Sequence, residues 1–509
     1  MLSKLLHTTS LKANIVANFV GNGWSALFTI LFVPVYLKYI GAEGYGLIGI
    51  FASLQIVLSL LDSGLSTTLN REVARLSALP LMEQKMRNLV KTLGTVYWLI
   101  ALVAGLVAMV LSPLMAKYWV QPNDLSVKTI TYAFLLLSLS LVFQFPTGFY
   151  TGGLLGLQRQ VVLNLIRIVF ATLRAVGAVL VLMFVSKSIL AFFAWTLFIS
   201  VLQALTFKYS LWFFLPKTPA KVIFDKQELK NIWRFAAGMT AISLTGILLT
   251  QTDKIVLSKI LSLEEFGYYV FAFTLGSVSY MIINPIYQSY FPRFVVLITE
   301  GKADELKRVY HQACQMVTLL ILPFALFLAL FSKEILLIWT NNSVTVDHTW
   351  QITSVISLAV AIHCLMFMPY LLCLSNNQTK LALYINITIL IILIPSIIYA
   401  ATHFGGLGGA VCWLSINIIY LLVNPALVHR LFLKGETFNW YWKDTIRPIL
   451  GCIGILILSR LLLSEYHFGI PITVFLLALT GILAFAATLF SSGNLKAVVL
   501  EGLNKQFGN

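Results

Sequence analysis

Charge is what this 509-residue chain has least of: Asp, Glu, Lys and Arg make up only 11% of it. A soluble domain carries roughly twice that share, so a mainly water-facing surface is excluded. Cysteine is sparse too, and Cys314, Cys364, Cys373, Cys412 and Cys452 show none of the close pairing that a zinc site uses. They read as small buried apolar residues. Long polar connectors are also missing; the longest, 71–90, 213–234 and 292–310, are far below the ~50 residues of a small soluble domain. Lys4 and Lys12 precede a long apolar stretch without a short apolar core and small-residue cleavage site, so a removable signal peptide is not expected.

What the chain has in abundance is apolar sequence, 59% by composition. Apolar runs separated by charged or Gly/Asn-rich breaks predict helices near 13–37, 46–70, 91–115, 129–153, 161–185, 188–212, 235–258, 267–291, 311–333, 351–373, 381–401, 406–428, 447–463 and 470–490. Runs of about 20 residues cross a ~30 Å hydrocarbon core, and a helix satisfies its own backbone hydrogen bonds there. The expected fold class is therefore an all-α membrane protein of about fourteen transmembrane helices. With both termini placed in the cytoplasm, 25 of the 35 Lys and Arg residues fall on the inner side and 7 on the outer, as the positive-inside rule requires. The same distribution argues against nucleic acid as a partner despite the net charge of +16, because the basic residues sit in short connectors rather than on one face.

The chain also repeats. Lys38, Glu43, Tyr45 and Gly46 match Lys259, Glu264, Phe266 and Gly267 at an offset of 221, and Gln158 and Asn164 match Gln378 and Asn386 at 220 and 222. The period spans six helices, so the halves enter the membrane from the same side, a pattern used by transporters that hold substrate between repeats. The expected organisation is a six-helix lobe at 1–212, a linker at 213–234, a second six-helix lobe at 235–430, and two accessory helices with a tail at 431–509.

Polar residues inside spans are expensive, about 2.5 to 3.5 kcal/mol for a charge on insertion scales, and so mark function by default. In the fifth predicted helix, Arg174 lies 700° of helical rotation beyond Arg167, and Asn164 is one turn before Arg167. Both guanidiniums thus share a face, roughly 10 Å apart along the axis. Such a face suits phosphate or carboxylate oxygens; the other reading is a structural ion pair with Asp62 of the second helix. Asp62-Ser63-Gly64 is itself a polar break. Asn14, Asn18 and Asn22 make an amide stripe that lipid would reject, facing either a partner helix or a wet cavity. Asp253 and Lys254, near an outer helix end, are expected to be wetted and to snorkel. His363 is either a proton-pathway residue or a packed one. The segment from Arg71 to Lys91 has the mixture of charge and apolar residues of an interfacial helix or a topology anchor.

The stretches VPVYLKYIGAEGYGLIGIFASLQIVLSLLDSGLSTTLNREVARL and DKIVLSKILSLEEFGYYVFAF are similar to segments that recur in the polysaccharide transporters, the Wzx-type lipid-linked oligosaccharide flippases of the multidrug/oligosaccharidyl-lipid/polysaccharide superfamily. The resemblance runs over nearly the whole chain. It implies a MATE-like, V-shaped pair of six-helix lobes around a central cavity, in the inner membrane. It also implies alternating access that carries an undecaprenyl-diphosphate-linked O-antigen, capsule or exopolysaccharide unit to the outer leaflet, beside assembly proteins such as a polymerase. The substrate-binding candidates are Arg167, Arg174, Asn164, Asp62, Asn18 and Asn22, with no catalytic residue, metal or cofactor expected. H⁺ or Na⁺ coupling stays open, with Asp62 and Asp253 as its candidates. A cation-coupled drug exporter on the same scaffold is the alternative, and it needs more membrane carboxylates than these. A glycan polymerase or ligase is disfavoured by short outer connectors at 116–128 and 334–350.

Overall fold

The computed structural model describes residues 11–62, 64–77, 79–227, 244, 247–376, 378–465 and 469–491. Among them there is no strand, only an isolated bridge between Gln121 and Ser262. Helices α1 (Leu11–Leu31), α2 (Val33–Leu58), α3 (Leu65–Ser77), α4 (Glu83–Leu114), α5 (Val127–Gly156), α6 (Gln160–Phe184) and α7 (Ile189–Phe214) lead to a helical segment at 247–260. The chain continues through α8 (Leu263–Gly276), α9 (Ser279–Thr299), α10 (Ala303–Leu330), α11 (Ser332–Thr340), α12 (Ser343–Leu365), α13 (Phe367–Ser375) and α14 (Thr379–Phe432). A π-helical turn, Trp440–Ile446, precedes α15 (Arg447–Glu465) and α16 (Ile470–Ser491).

Ten helices among the described residues are long and apolar enough to cross a membrane, or eleven if α8 and α9, bent by 46°, form one span. Of the predicted helix at 235–258, residues 235–243, 245 and 246 lie outside the described residues. Helix starts are set by side-chain caps: Ser126, Ser188 and Asn342 accept from the backbone N–H of Thr129, Ala191 and Thr345. At 54 residues α14 would be roughly 80 Å long, far more than one ~30 Å span needs. Gly405, at φ 59° and ψ −145°, interrupts it between the two helices predicted at 381–401 and 406–428.

The second predicted helix is not continuous over 46–70. It ends at Leu58, turns through a 3₁₀ segment, Ser59–Asp62, and restarts at Leu65 after Gly64 (φ 79°). The 71–91 segment is likewise not one interfacial helix. Leu65, Leu69, Val73 and Leu76 form an apolar stripe of α3 that is buried with Leu93, Tyr97, Phe149 and Leu154 of α4 and α5. Arg71 and Arg75 stay exposed on its other side, paired with Glu72, and Lys85, Arg87 and Lys91 belong to the first turns of α4.

The chain divides into two compact units, Met1–Gly267 and Tyr268–Asn509. In the first, the repeat is visible as a reciprocal contact. A Cβ on Gly46 would lie 2.5 Å from Leu263 O, and one on Gly267 would lie 1.9 Å from Ala42 O; Ala42 and Leu263 are themselves 221 residues apart. Only glycine fits at either position. In the second unit, α15 and α16 pack on the end of α10 through Phe331, Cys452, Leu456, Leu477 and Ala484, and Arg460 pairs with Glu334 of α11.

Candidate functional site, a cationic cavity in the first unit

The cavity is built where α1 meets α6. A Cβ on Gly21 would sit 2.4 Å from Asn164 Oδ1, so glycine permits the close approach of the two helices. Beside it the amides close on one another. Asn164 Nδ2 donates to Asn18 Oδ1 (2.5 Å) and to Gln160 O (2.8 Å), and Asn18 Nδ2 donates to Gln160 Oε1 (2.6 Å). Asn18 and Asn164 therefore act as an interhelical clasp, and Trp24 Nε1 adds a bond to Thr172 Oγ1 at 2.9 Å. The side chain of Asn14 lies outside the described residues.

One turn on, the helices part around a cavity of about 590 Å³, within the ~300 to 1,000 Å³ range of ligand pockets. Its polar wall is Asn22, Ser25, Tyr36, Tyr45, Arg167, Arg174 and Gln203. Arg167 Nη1 makes one long bond, 3.5 Å, to Asn22 Oδ1. Arg174 Nη2 donates to Gln203 Oε1 at 2.7 Å, while its Nε has no hydrogen-bond partner. Among the described residues no ion pair involves either arginine. Two planar cations thus line one recess with donors left over, which is what a bidentate anion requires.

Asp62 is not their partner. Its Oδ1 accepts from Ser66 N (3.1 Å) and Ser66 Oγ (2.8 Å), and Ser66 Oγ meets Tyr97 OH at 2.9 Å. The carboxylate satisfies one of the open N–H groups at the start of α3, a use that depth along a straight helix could not reveal. It lines a separate cavity of about 180 Å³ with Gln55 and Gln144. Asp253 is not wetted either: it is 3% exposed and pairs at 3.1 Å with Lys254, which does not snorkel but is 9% exposed. His363 is packed, its Nδ1 2.9 Å from Tyr280 OH and its ring among Phe367, Trp413 and Tyr420.

Residues 11–297 match the family described as polysaccharide biosynthesis protein. The chain belongs to that family. It is 20% identical over 413 residues to a protein of Shigella flexneri named as an O-antigen transporter, covering 81% of this chain and 95% of the other. It is 22% identical over 309 residues to the succinoglycan biosynthesis transport protein ExoT of Rhizobium meliloti (strain 1021), 58% of each chain. Among solved structures it resembles the lipid II flippase MurJ in an inward closed conformation, with a TM-score of 0.70, 13% identity and coverage of 96% of this chain and 99% of that one. It also resembles an inward-facing MATE family transporter of the MOP superfamily, with a TM-score of 0.68, 12% identity and coverage of 81% and 96%. The chain thus shares the all-helical fold of these two transporters.

In this family member the matched region contains the whole cationic cavity. Four of the polar residues named above, Ser25, Tyr36, Tyr45 and Gln203, escaped the sequence reading. Gln203 had a signal, being the lone amide in the apolar helix α7. Tyr36 and Tyr45 had none, because they join Arg174 in the cavity wall only through packing across more than a hundred residues of chain.

Proposed function

We propose that this protein is a flippase that carries an undecaprenyl-diphosphate-linked oligosaccharide from the cytoplasmic to the outer leaflet of the inner membrane by alternating access, both termini lying in the cytoplasm. The observation that carries the reading is the pair Arg167 and Arg174, two guanidiniums of an apolar helix that have no carboxylate partner among the described residues and face one cavity. A lipid diphosphate supplies the missing anionic oxygens and brings its own apolar anchor into the bilayer. Membership of a polysaccharide biosynthesis family supports the cargo class, and the transporter names of the relatives support movement rather than catalysis. An ion-coupled drug exporter fits less well, since Asp62 caps a helix and Asp253 is paired with Lys254.

The test uses the purified chain in liposomes that hold a polyprenyl-diphosphate oligosaccharide. Lectin accessibility of the sugar on the opposite leaflet should rise faster with protein than without. Equal rates with correctly inserted protein would overturn the proposal.

A further inference from the structure

A second group of membrane-boundary charges takes no part in the cavity. At the start of α10, His311 lies between two carboxylates: its Nδ1 contacts Asp444 Oδ2 and its Nε2 is 3.1 Å from Glu436 Oε2. Gln315 Nε2 donates to Asp444 Oδ1 at 2.8 Å, Asn439 Nδ2 donates to Glu436 Oε2 at 2.8 Å, and Lys307 pairs with Glu436. His311, Glu436 and Asp444 are 9%, 6% and 1% exposed. Three chain segments meet here: α10, the connector after α14, and the π-helical turn that leads into α15.

An ionised carboxylate only accepts hydrogen bonds, and a neutral imidazole has one N–H. With both carboxylates ionised, the two contacts to His311 are therefore both hydrogen bonds only when the ring holds two protons. Lys307 and protonated His311 then balance Glu436 and Asp444. Loss of the proton leaves one buried carboxylate facing a nitrogen lone pair, an arrangement that destabilises the cluster. The other titratable neighbours do not supply a substitute proton donor at this point. On α10, Tyr310 OH is 2.8 Å from His429 Nε2 of α14, and Cys314 is buried beside it. Tyr290 of α9 turns to Met316, and Arg430, Lys434, Lys443 and Arg447 are exposed.

We propose that His311, Glu436 and Asp444 form a proton-binding lock, in which one proton on His311 fastens the connector 433–436 and the 440–446 turn to α10, and its release frees the entry to α15. The lock stands independently of the cargo.

The test is backbone hydrogen exchange of the purified full chain in nanodiscs, corrected for the chemical exchange rate. In the wild type, protection of residues 436–446 should fall about tenfold between pH 6 and 8.5, a change of about 1.4 kcal/mol. His311→Gln should abolish that pH dependence, and Asp444→Asn should weaken it. Dependence that persists in His311→Gln, or none in the wild type, would overturn the lock. A measurement on the unaltered protein covers the case where the variants fail to fold: with ¹⁵N-labelled histidine, one of the seven residues should remain doubly protonated at pH 7.5. Seven neutral rings at that pH would equally refute it.

Discussion

The cavity around Arg174 and the cluster around His311 both gather charged side chains among packed helices, yet they dispose of that charge in opposite ways. In the cluster each cation has a buried carboxylate beside it and each carboxylate a cation or amide donor. In the cavity two cations share a recess with no carboxylate among the described residues that line it, and Arg174 Nε has no hydrogen-bond partner among them. A network that closes on itself holds helices together; one left open is incomplete until something anionic enters. Openness of the hydrogen-bond inventory, more than the presence of charge, separates the two.

The largest effect expected from this contrast is on transport. If Arg174 holds the cargo as proposed, Arg174→Ala removes a charge-assisted bond worth about 1.5 to 3 kcal/mol and should slow flipping by about tenfold to a hundredfold while the protein still inserts and purifies as a monodisperse species. Arg174→Lys keeps the charge but loses the planar fork and should fall between the two. Normal flipping by the alanine variant in the lectin-accessibility assay would erase the distinction between cavity and cluster. The converse change belongs to the second unit: Glu436→Gln should lower the melting temperature more than it lowers the transport rate per folded molecule.

Acid should affect the cluster through that same residue. Burial pushes the Glu436 carboxyl up, but bonds from Lys307 and Asn439 and the nearby Lys307 and His311 charges outweigh it and hold the group below its ordinary value of 4.5. A carboxyl with a depressed folded-state value stabilises the fold above 4.5, and that contribution is lost as pH falls through the folded value. Thermal scans between pH 3 and 6 should therefore show a loss of stability on the acid side that Glu436→Gln lacks. An unchanged acid limb in the variant would detach Glu436 from the stability of the unit.

Helical periodicity was enough to group part of the cavity wall. The rotation between Arg167 and Arg174, and the four-residue spacing of Asn18 and Asn22, place these residues on sides of α6 and α1 that meet, because both helices are regular there. Periodicity failed where the helix did. Asp62 was placed beside the arginines on the assumption of a straight second helix, and the 3₁₀ turn at Ser59–Asp62 hands it to α3 instead. The His311 cluster left no trace in sequence, since its members stand up to 133 residues apart and only packing brings them together. The glycines show the same limit. Gly46 and Gly267 emerged from the repeat, whereas the need for Gly21 depends on how closely α1 approaches Asn164.

That approach gives a smaller effect, on stability. Gly21→Ala forces a Cβ against the buried Asn164 amide and should cost about 1 to 3 kcal/mol, read as a lower melting temperature. Because the clasp adjoins the cavity, part of the loss should be recovered when a diphosphate ligand is present, as binding to the folded state alone stabilises it. Destabilisation that ligand leaves untouched would separate the clasp from the site.

The smallest effect is expected at Asp62, and it discriminates most sharply between a coupling ion site and a helix cap. Asparagine keeps an oxygen for Ser66 N and Oγ but cannot carry a proton or hold Na⁺ as a carboxylate does. Good caps differ little among Asp, Asn and Ser, so Asp62→Asn should change stability by less than about 1 kcal/mol and the flipping rate by less than about twofold, with or without an ion gradient. A collapse of gradient-driven transport in a folded Asp62→Asn protein would make the Gln55, Asp62 and Gln144 cavity a second open site and overturn its assignment as a cap.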